Sequence, residues 1–474
     1  MTADEYDLIV IGGGPVGENV ADRAVQGGLT AIIVERELVG GECSYWACMP
    51  SKALLRSGQA LRAAQHVAGA AEAVTGPLDV AAVLGRRDAF TSDWSDAGQV
   101  EWLQSAGIDL ARGQGRITGE REVTVTDADG ATRVLRARRA VAIATGTDAA
   151  IPPIDGLKDA APWTSREATS AQEIPASLAI IGGGVVAVEM ATAYASLGAK
   201  VTVIARSGLL TTMEPFAGER VERALRAEGV DVHLRTSPTR VVRDDQGVTI
   251  TVADGTDIIA EEVLVATGRT PRTGELGLEV VGLTPGDYVE TDDTLRVPGS
   301  DWLYAVGDVN GRVLLTHQGK YQARAAGDAI AARADDAALE DSPWGRHVAT
   351  ADHAAVPQVV FAEPEVASVG LTAEAAQDAG YSTRVIDHDL GGVAGASLRE
   401  DGYSGQARMV VDTERDVILG VTLVGPDVAE LLHAATVAIV GEVPISRLWH
   451  AVPAYPAVSE IWLRLLEAYG RDSA

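Results

Sequence analysis

Cysteine is nearly missing from this chain, which has two in 474 residues, Cys43 and Cys48. Two are too few for a disulfide framework, and cytosolic thiols are normally kept reduced, so a pair this closely spaced points to catalysis or metal binding rather than stapling. Lysine is almost as scarce, at positions 52, 158, 200 and 320 only, which makes Lys52, just after the second cysteine, stand out. Positive charge as a whole falls short: 39 Lys and Arg against 67 Asp and Glu give a formal net charge of −28. That balance opposes attraction to a nucleic acid backbone or an anionic membrane surface, and neither is expected as a partner. No apolar run approaches the length of a membrane span. The opening MTADEYDLIVIGGG leaves no room for a charged segment, a long apolar region and a cleavage site, so a cytoplasmic location is expected.

The chain is too long for one ordinary core and calls for two to four domains. Its strongest organisational signal is an internal echo. LIVIGGGPVG at 8–17 is matched by LAIIGGGVVAVE at 178–189, each an apolar strand, a glycine turn and an Ala-rich helical stretch. VAIATGT at 141–147 and VLVATGRT at 263–270 form a second echo, so each glycine loop is closed downstream by a strand ending in Ala-Thr-Gly, with Thr145, Gly146 and Gly268 at those ends. Two related nucleotide-binding units follow from this pattern. A Pro-, Gly- and Asp-rich linker marks a boundary near 150, and from about 350 strands such as PQVVFA and ARMVVD indicate an antiparallel third domain.

In the first loop, Gly12, Gly14 and Gly17 follow the strand DLIVI and open a helix, and Glu35 ends the next strand, AIIVE. Glycine there permits a tight turn and close approach of a pyrophosphate to the helix N-terminus, while the Glu35 carboxylate can accept from ribose hydroxyls. The alternative is a plain strand-turn-helix without a ligand. In the second loop Gly182 and Gly184 are followed by Ala187, which still allows close helix packing. The strand KVTVIARSG then puts Arg206 where an acidic ribose ligand would otherwise stand, and a guanidinium suits a 2′-phosphate, so NADPH is preferred over NADH. Arg206 as a solvated surface charge is the alternative.

The run GGECSYWACMPSKALLR sets the cysteines at C-x4-C where a helix begins. A regular helix holds residues five apart too widely for a disulfide, so pairing requires a distorted first turn. A helix N-terminus also lowers a thiol pKa and stabilises thiolate. Zinc would want about four ligands, and only His66 is nearby in sequence, so no metal site is expected. Two inert buried thiols are the other alternative.

With GGGPVG and Glu35, GGECSYWACMPSK, both ATG motifs, GGGVVAVE, AVGDVNGRVLLTH and VVFAEPEVASVGLT in hand, the chain resembles the pyridine nucleotide-disulfide oxidoreductases over essentially its whole length. That resemblance implies an α/β fold with two Rossmann-like domains, for FAD and NAD(P), plus a C-terminal α+β dimerisation domain. The FAD domain would comprise residues 1–150 and 271–345, the NAD(P)H domain 151–270 and the interface domain 346–474 of a homodimer. It further implies that Cys48 is the thiol beside the flavin, able to form a charge-transfer thiolate, and Cys43 the interchange thiol that meets the acceptor. Lys52 would pair with Glu189 near the flavin N5, Asp308 would bind the ribityl chain, His317 would end the segment along the pyrimidine edge, and Gly115 would line the adenine side.

One departure bears on function. The family's disulfide reductases end on His-Pro-Thr-x-x-Glu, whose His serves as acid and base from the partner subunit, whereas this chain reads Tyr455-Pro456-Ala457-Val458-Ser459-Glu460. A histidine near about pH 6.5 exchanges protons at neutrality, and a phenol near about 10 is a poor base there. His450 and His433 are candidates to substitute. Mercuric reductases carry Tyr at this place but also use a C-terminal cysteine pair, and this chain has no third cysteine. The expected activity is hydride transfer from NAD(P)H through flavin to a Cys43–Cys48 disulfide and on to a small disulfide-type acceptor. The alternatives are a quinone, dye or metal-ion reductase, and a flavoprotein without catalysis.

Overall fold

The run LIVI is apolar at every position, which suits a parallel strand buried on both faces. In the computed structural model, which describes residues 4–471, that run lies in the strand Asp4–Ile11, where Leu8, Ile9 and Val10 are fully buried. The chain divides into two units. One takes the chain up to Pro50, Asp88–Ala150 and Arg269–His353; the other takes Ser51–Arg87, Ile151–Gly268 and the chain from Ala354 on.

The first unit is built on a seven-stranded sheet among the described residues. In spatial order its strands are Ile108–Arg112, Ala31–Glu35, Asp4–Ile11, Thr132–Ile143, Glu122–Thr126 and Gln114–Gly119, and Leu303–Ala305 also pairs with Thr132–Ile143. Asp4–Ile11 is parallel to both neighbours, with Ile11 opposite Val34 and Ile143. The register therefore brings the loops after Ile11, Glu35, Ile143 and Ala305 to one edge of the sheet. Successive residues serve opposite faces. Leu8 and Val10 pack with Val20 and Ala24 of the helix Pro15–Gln26 and Ala326 and Ile330 of the helix Thr316–Ala334, while Ile9 and Ile11 pack with Ile117 and Val123. Each such fully buried aliphatic side chain contributes about 2 kcal/mol of transfer free energy. Pro15 at the first position and buried Gly17, Val20, Ala21 and Ala24 along one stripe explain where the first helix starts and which face it buries.

The second unit repeats the motif. The strands Asp231–Leu234, Lys200–Ala205, Ser177–Ile181 and Glu262–Val265 form a parallel sheet in that order, and the helix Val185–Ser196 joins its two central strands. That helix is Ala-rich and buried along most of its length, as a helix between packed layers must be. A three-stranded antiparallel sheet, Pro238–Asp244, Gly247–Val252 and Asp257–Ala260, stands beside it in sequence. The C-terminal segment forms a five-stranded antiparallel sheet, ordered Pro357–Val360, Glu365–Gly370, Val417–Gly425, Gln406–Asp412 and Thr383–Asp389. The closing helix, Ile461–Tyr469, buries Ile461, Leu465, Leu466 and Tyr469, the apolar stripe of an amphipathic segment.

Candidate active site

At the first glycine loop, Gly12 has φ +108, and a Cβ there would collide with the Ala144 carbonyl oxygen. A Cβ on Gly17 would in turn strike the Gly12 carbonyl, so helix and loop touch only because both positions are bare. Gly14 caps the helix Pro15–Gln26 without a side-chain bond, which leaves the first-turn N–H groups directed at the loop. Glu35 is buried and accepts from the N–H of Gly13 (2.6 Å) through Oε2 and from Glu37 (2.7 Å) through Oε1.

A cavity of about 230 Å³ opens here, lined by Gly12, Glu35, Gly115, Thr145, Asp148 and Arg272 among others. Two buried polar atoms at this edge have no hydrogen-bond partner among the described residues, Thr145 Oγ1 and Glu18 Oε1. Burial pushes the Glu18 carboxyl up to about 7; the Lys320 ammonium opposes that shift and the Glu35 carboxylate adds to it. A glycine cradle at a helix N-terminus, a carboxylate at the end of the second strand and an orphaned hydroxyl fit a dinucleotide. Asp308 stands after the strand Leu303–Ala305, accepts from Thr147 Oγ1 at 2.9 Å and is pushed up by burial. Arg269 donates to the same threonine hydroxyl at 2.5 Å.

The cysteines do not share a helix. Cys43 lies in the short helix Gly41–Tyr45, the backbone breaks at Trp46 (φ −138), and Cys48 opens the helix Cys48–Gln65. Both are half-buried. Cys48 Sγ is 3.3 Å from Thr316 Oγ1, in the first turn of the helix that also carries the exposed His317. Tyr45 is buried with its hydroxyl donating to the Val39 carbonyl (3.1 Å), and burial pushes its phenol up to about 12. Glu42, next to Cys43, is held at 2.7 Å by Arg272, which also pairs with Asp148.

In the second unit, Lys52 Nζ meets Glu189 Oε2 at 2.7 Å. Glu189 is 3% exposed, its other oxygen accepts from the Phe361 N–H at 3.0 Å, and the Lys52 ammonium lies 5.0 Å from the Phe361 ring centre. Gly182, at φ +143, leaves no space for a Cβ against the Ala266 carbonyl; Gly184 caps the helix Val185–Ser196, Ala187 is fully buried, and Gly268 has φ +147. Gly183 packs against Ala205, with exposed Arg206 next in sequence.

Tyr455 is 77% exposed, in the segment between the helix Ile445–Leu448 and the turn Val458–Glu460. Glu460 is buried, bound through Oε1 to Arg464, while its Oε2 has no partner among the described residues. His450 and His433 are exposed. Among the described residues no group of three or more His, Cys, Asp or Glu is placed to hold a metal ion, and no helix is long and apolar enough to cross a membrane.

Residues 6–326 match the family model described as pyridine nucleotide-disulphide oxidoreductase, and 356–465 match that family's dimerisation domain. The chain belongs to the pyridine nucleotide-disulfide oxidoreductases. These are flavin-dependent enzymes that take electrons from NAD(P)H through FAD to a disulfide. Among its relatives, a dihydrolipoyl dehydrogenase of Chlorobaculum tepidum is 33% identical over 470 residues, covering 97% of this chain and 96% of that protein. A mercuric reductase of Shigella flexneri is 35% identical over 453 residues, covering 93% of this chain and 77% of that protein. The fold is that of the HOCl-induced flavoprotein disulfide reductase RclA of Escherichia coli in its Cu(II) complex, with TM-score 0.84, 23% identity and coverage of 98% and 99%.

Thr316, Glu18 and Arg272 in the first unit and Phe361 in the second, which touches Glu189, escaped the sequence reading. Thr316 stood inside the quoted LLTH run and was passed over for its histidine. The Phe361 contribution is a backbone N–H, which carries no residue-type signal.

Proposed function

We propose that this chain is an NADPH-dependent disulfide reductase in which Cys43 and Cys48 carry the electrons to a small disulfide acceptor. The observation behind this is the 3.3 Å approach of Cys48 Sγ to Thr316, which puts a cysteine against the segment running from Asp308 to His317, inside the unit that holds the Glu35 cradle. Gly12, Gly14, Gly17, Glu35, Gly115, Thr145, Gly146, Asp308 and His317 would hold FAD. Bound FAD supplies the ring that takes hydride from nicotinamide and returns the electron pair to the disulfide. Lys52 and Glu189 would form the ion pair beside that ring, with Glu189 fixed by the Phe361 N–H. Gly182, Gly184, Ala187, Arg206 and Gly268 would hold NADPH. Once reduced, the Cys43 thiolate attacks the acceptor disulfide and expels one thiolate. Cys48 then displaces the second and re-forms the Cys43–Cys48 bond.

The NADPH preference is supported by a comparison within the molecule. Gly13 of the first loop lies against Glu35, and Gly183 of the second lies in the same way against Ala205. The ribose-reading carboxylate of the first copy is a methyl group in the second, with a guanidinium immediately after it. A cytoplasmic homodimer divided at about residues 150, 270 and 345 belongs to the same proposal, with Tyr455 and Glu460 facing the partner's cysteines. Exposed Val437, Val440, Val452 and Tyr455 in the segment matching the dimerisation domain support the dimer.

Turnover with a disulfide acceptor falls to background in Cys43→Ser and in Cys48→Ser if this is right, and its survival in either variant overturns the route. A second reading, reduction of a quinone, dye or metal ion, is favoured by the phenol at 455. It gains ground if quinone reduction persists in Cys48→Ser.

A further inference from the structure

The strand Lys200–Ala205 runs into Arg206 and Ser207, and the neighbouring parallel strand Asp231–Leu234 runs into Arg235. The two strand ends are tied together: the N–H of Arg235 donates to the Ser207 carbonyl at 3.3 Å and the N–H of Thr236 to the Ala205 carbonyl at 3.2 Å. The glycine loop is fastened to the same turn, since the N–H of Leu210 donates to the Gly183 carbonyl at 2.8 Å. Two arginines from successive crossovers thus stand side by side at the carboxyl edge of the sheet, next to the pyrophosphate loop, where the ribose of a bound dinucleotide lies in such folds.

Both side chains are exposed, and neither has an ion-pair or side-chain hydrogen-bond partner among the described residues, although the chain carries 28 more acidic than basic groups. Arg235 also has φ +56, a left-handed conformation that glycine or asparagine adopts at less cost than arginine. Backbone strain at a residue whose side chain makes no hydrogen bond or ion pair among the described residues is explained when that side chain has a ligand to reach.

We infer that Arg235 is a second specificity-determining residue, which clamps the 2′-phosphate of the nicotinamide dinucleotide together with Arg206. The inference rests on the NADPH reading and adds to it the residue that sequence position alone did not mark. A phosphate monoester presents enough oxygens for two guanidiniums, and each charge-assisted contact discriminates against a nucleotide with a free 2′-hydroxyl. Dinucleotides without the 2′-phosphate gain nothing from either arginine and lose nothing when one is removed.

The test is calorimetric titration of the purified flavin-loaded enzyme with 2′,5′-ADP and with 5′-AMP. Wild type is expected to bind 2′,5′-ADP more tightly, and Arg235→Asn, which keeps the left-handed backbone, to lose about tenfold or more for 2′,5′-ADP with 5′-AMP unchanged. Arg235→Gly gives the same result by a route without backbone strain, and Arg235→Lys retains part of the preference. If Arg206→Ala loses the preference while Arg235→Asn and Arg235→Gly keep it, Arg235 has no part in recognition and the NADPH reading stands. If wild type does not distinguish the two nucleotides, the NADPH reading falls and takes this inference with it.

Discussion

Glu35 and Ala205 occupy corresponding places in two copies of one motif, and the proposed NADPH preference rests on the difference between a carboxylate and a methyl group there. Glu189 shows the same economy, with one oxygen on Lys52 and the other on a backbone N–H. In Glu189→Gln the amide no longer holds the ammonium by charge, and reduction of the bound flavin by NADPH, followed by stopped-flow absorbance, slows by about tenfold or more. Glu18 gives a pH-dependent prediction. Its folded-state value of about 7 lies above the ordinary 4.5, so the folded protein binds the proton more tightly than the unfolded chain. Stability from this group therefore declines as pH rises from about 4.5 through about 7 and is lost above that. Thermal unfolding of Glu18→Gln is expected to show a gain over wild type at pH 8 and none at pH 5; an equal gain at both would mean the carboxyl is not titrating.

At the scale of elements, the glycine loops were legible because strand, turn and helix follow one another within thirty residues and each leaves a local pattern. The internal echo survived into two sheets whose central strands are parallel and joined by the same crossover. Other features leave no local trace. Thr316 meets Cys48 across 268 positions, and the Phe361 N–H meets Glu189 across 172. The antiparallel strands Gln114–Gly119 and Glu122–Thr126, which extend the first sheet, show only short alternation in sequence. The break at Trp46 puts the two cysteines in separate helices, and nothing in the residue types said where it would fall. The glycine helix start carries its own prediction: Gly17→Ala forces a Cβ into the Gly12 carbonyl and closes the cradle, so the variant purifies without yellow colour. Retention of stoichiometric FAD in that variant would show that the loop has room to adjust.

For the whole molecule, the electron path is the family's, and Tyr455 stands where the disulfide reductases of the family carry histidine. Tyr455 is exposed on the segment that matches the dimerisation domain, and phenols in general are poorer bases than imidazoles at neutral pH. Tyr455→His is expected to raise turnover with a disulfide acceptor about tenfold at pH 7 while leaving quinone reduction unchanged, as steady-state assays with both acceptors will show. The dithiol route is tested most directly by anaerobic addition of one equivalent of NADPH to the oxidised enzyme, followed by alkylation and mass spectrometry of the cysteine peptide. Two alkyl groups are expected, on Cys43 and Cys48, for one NADPH consumed, and none without it. Loss of flavin colour with no new alkylation would mean that electrons stop at the flavin, and would contradict the dithiol route.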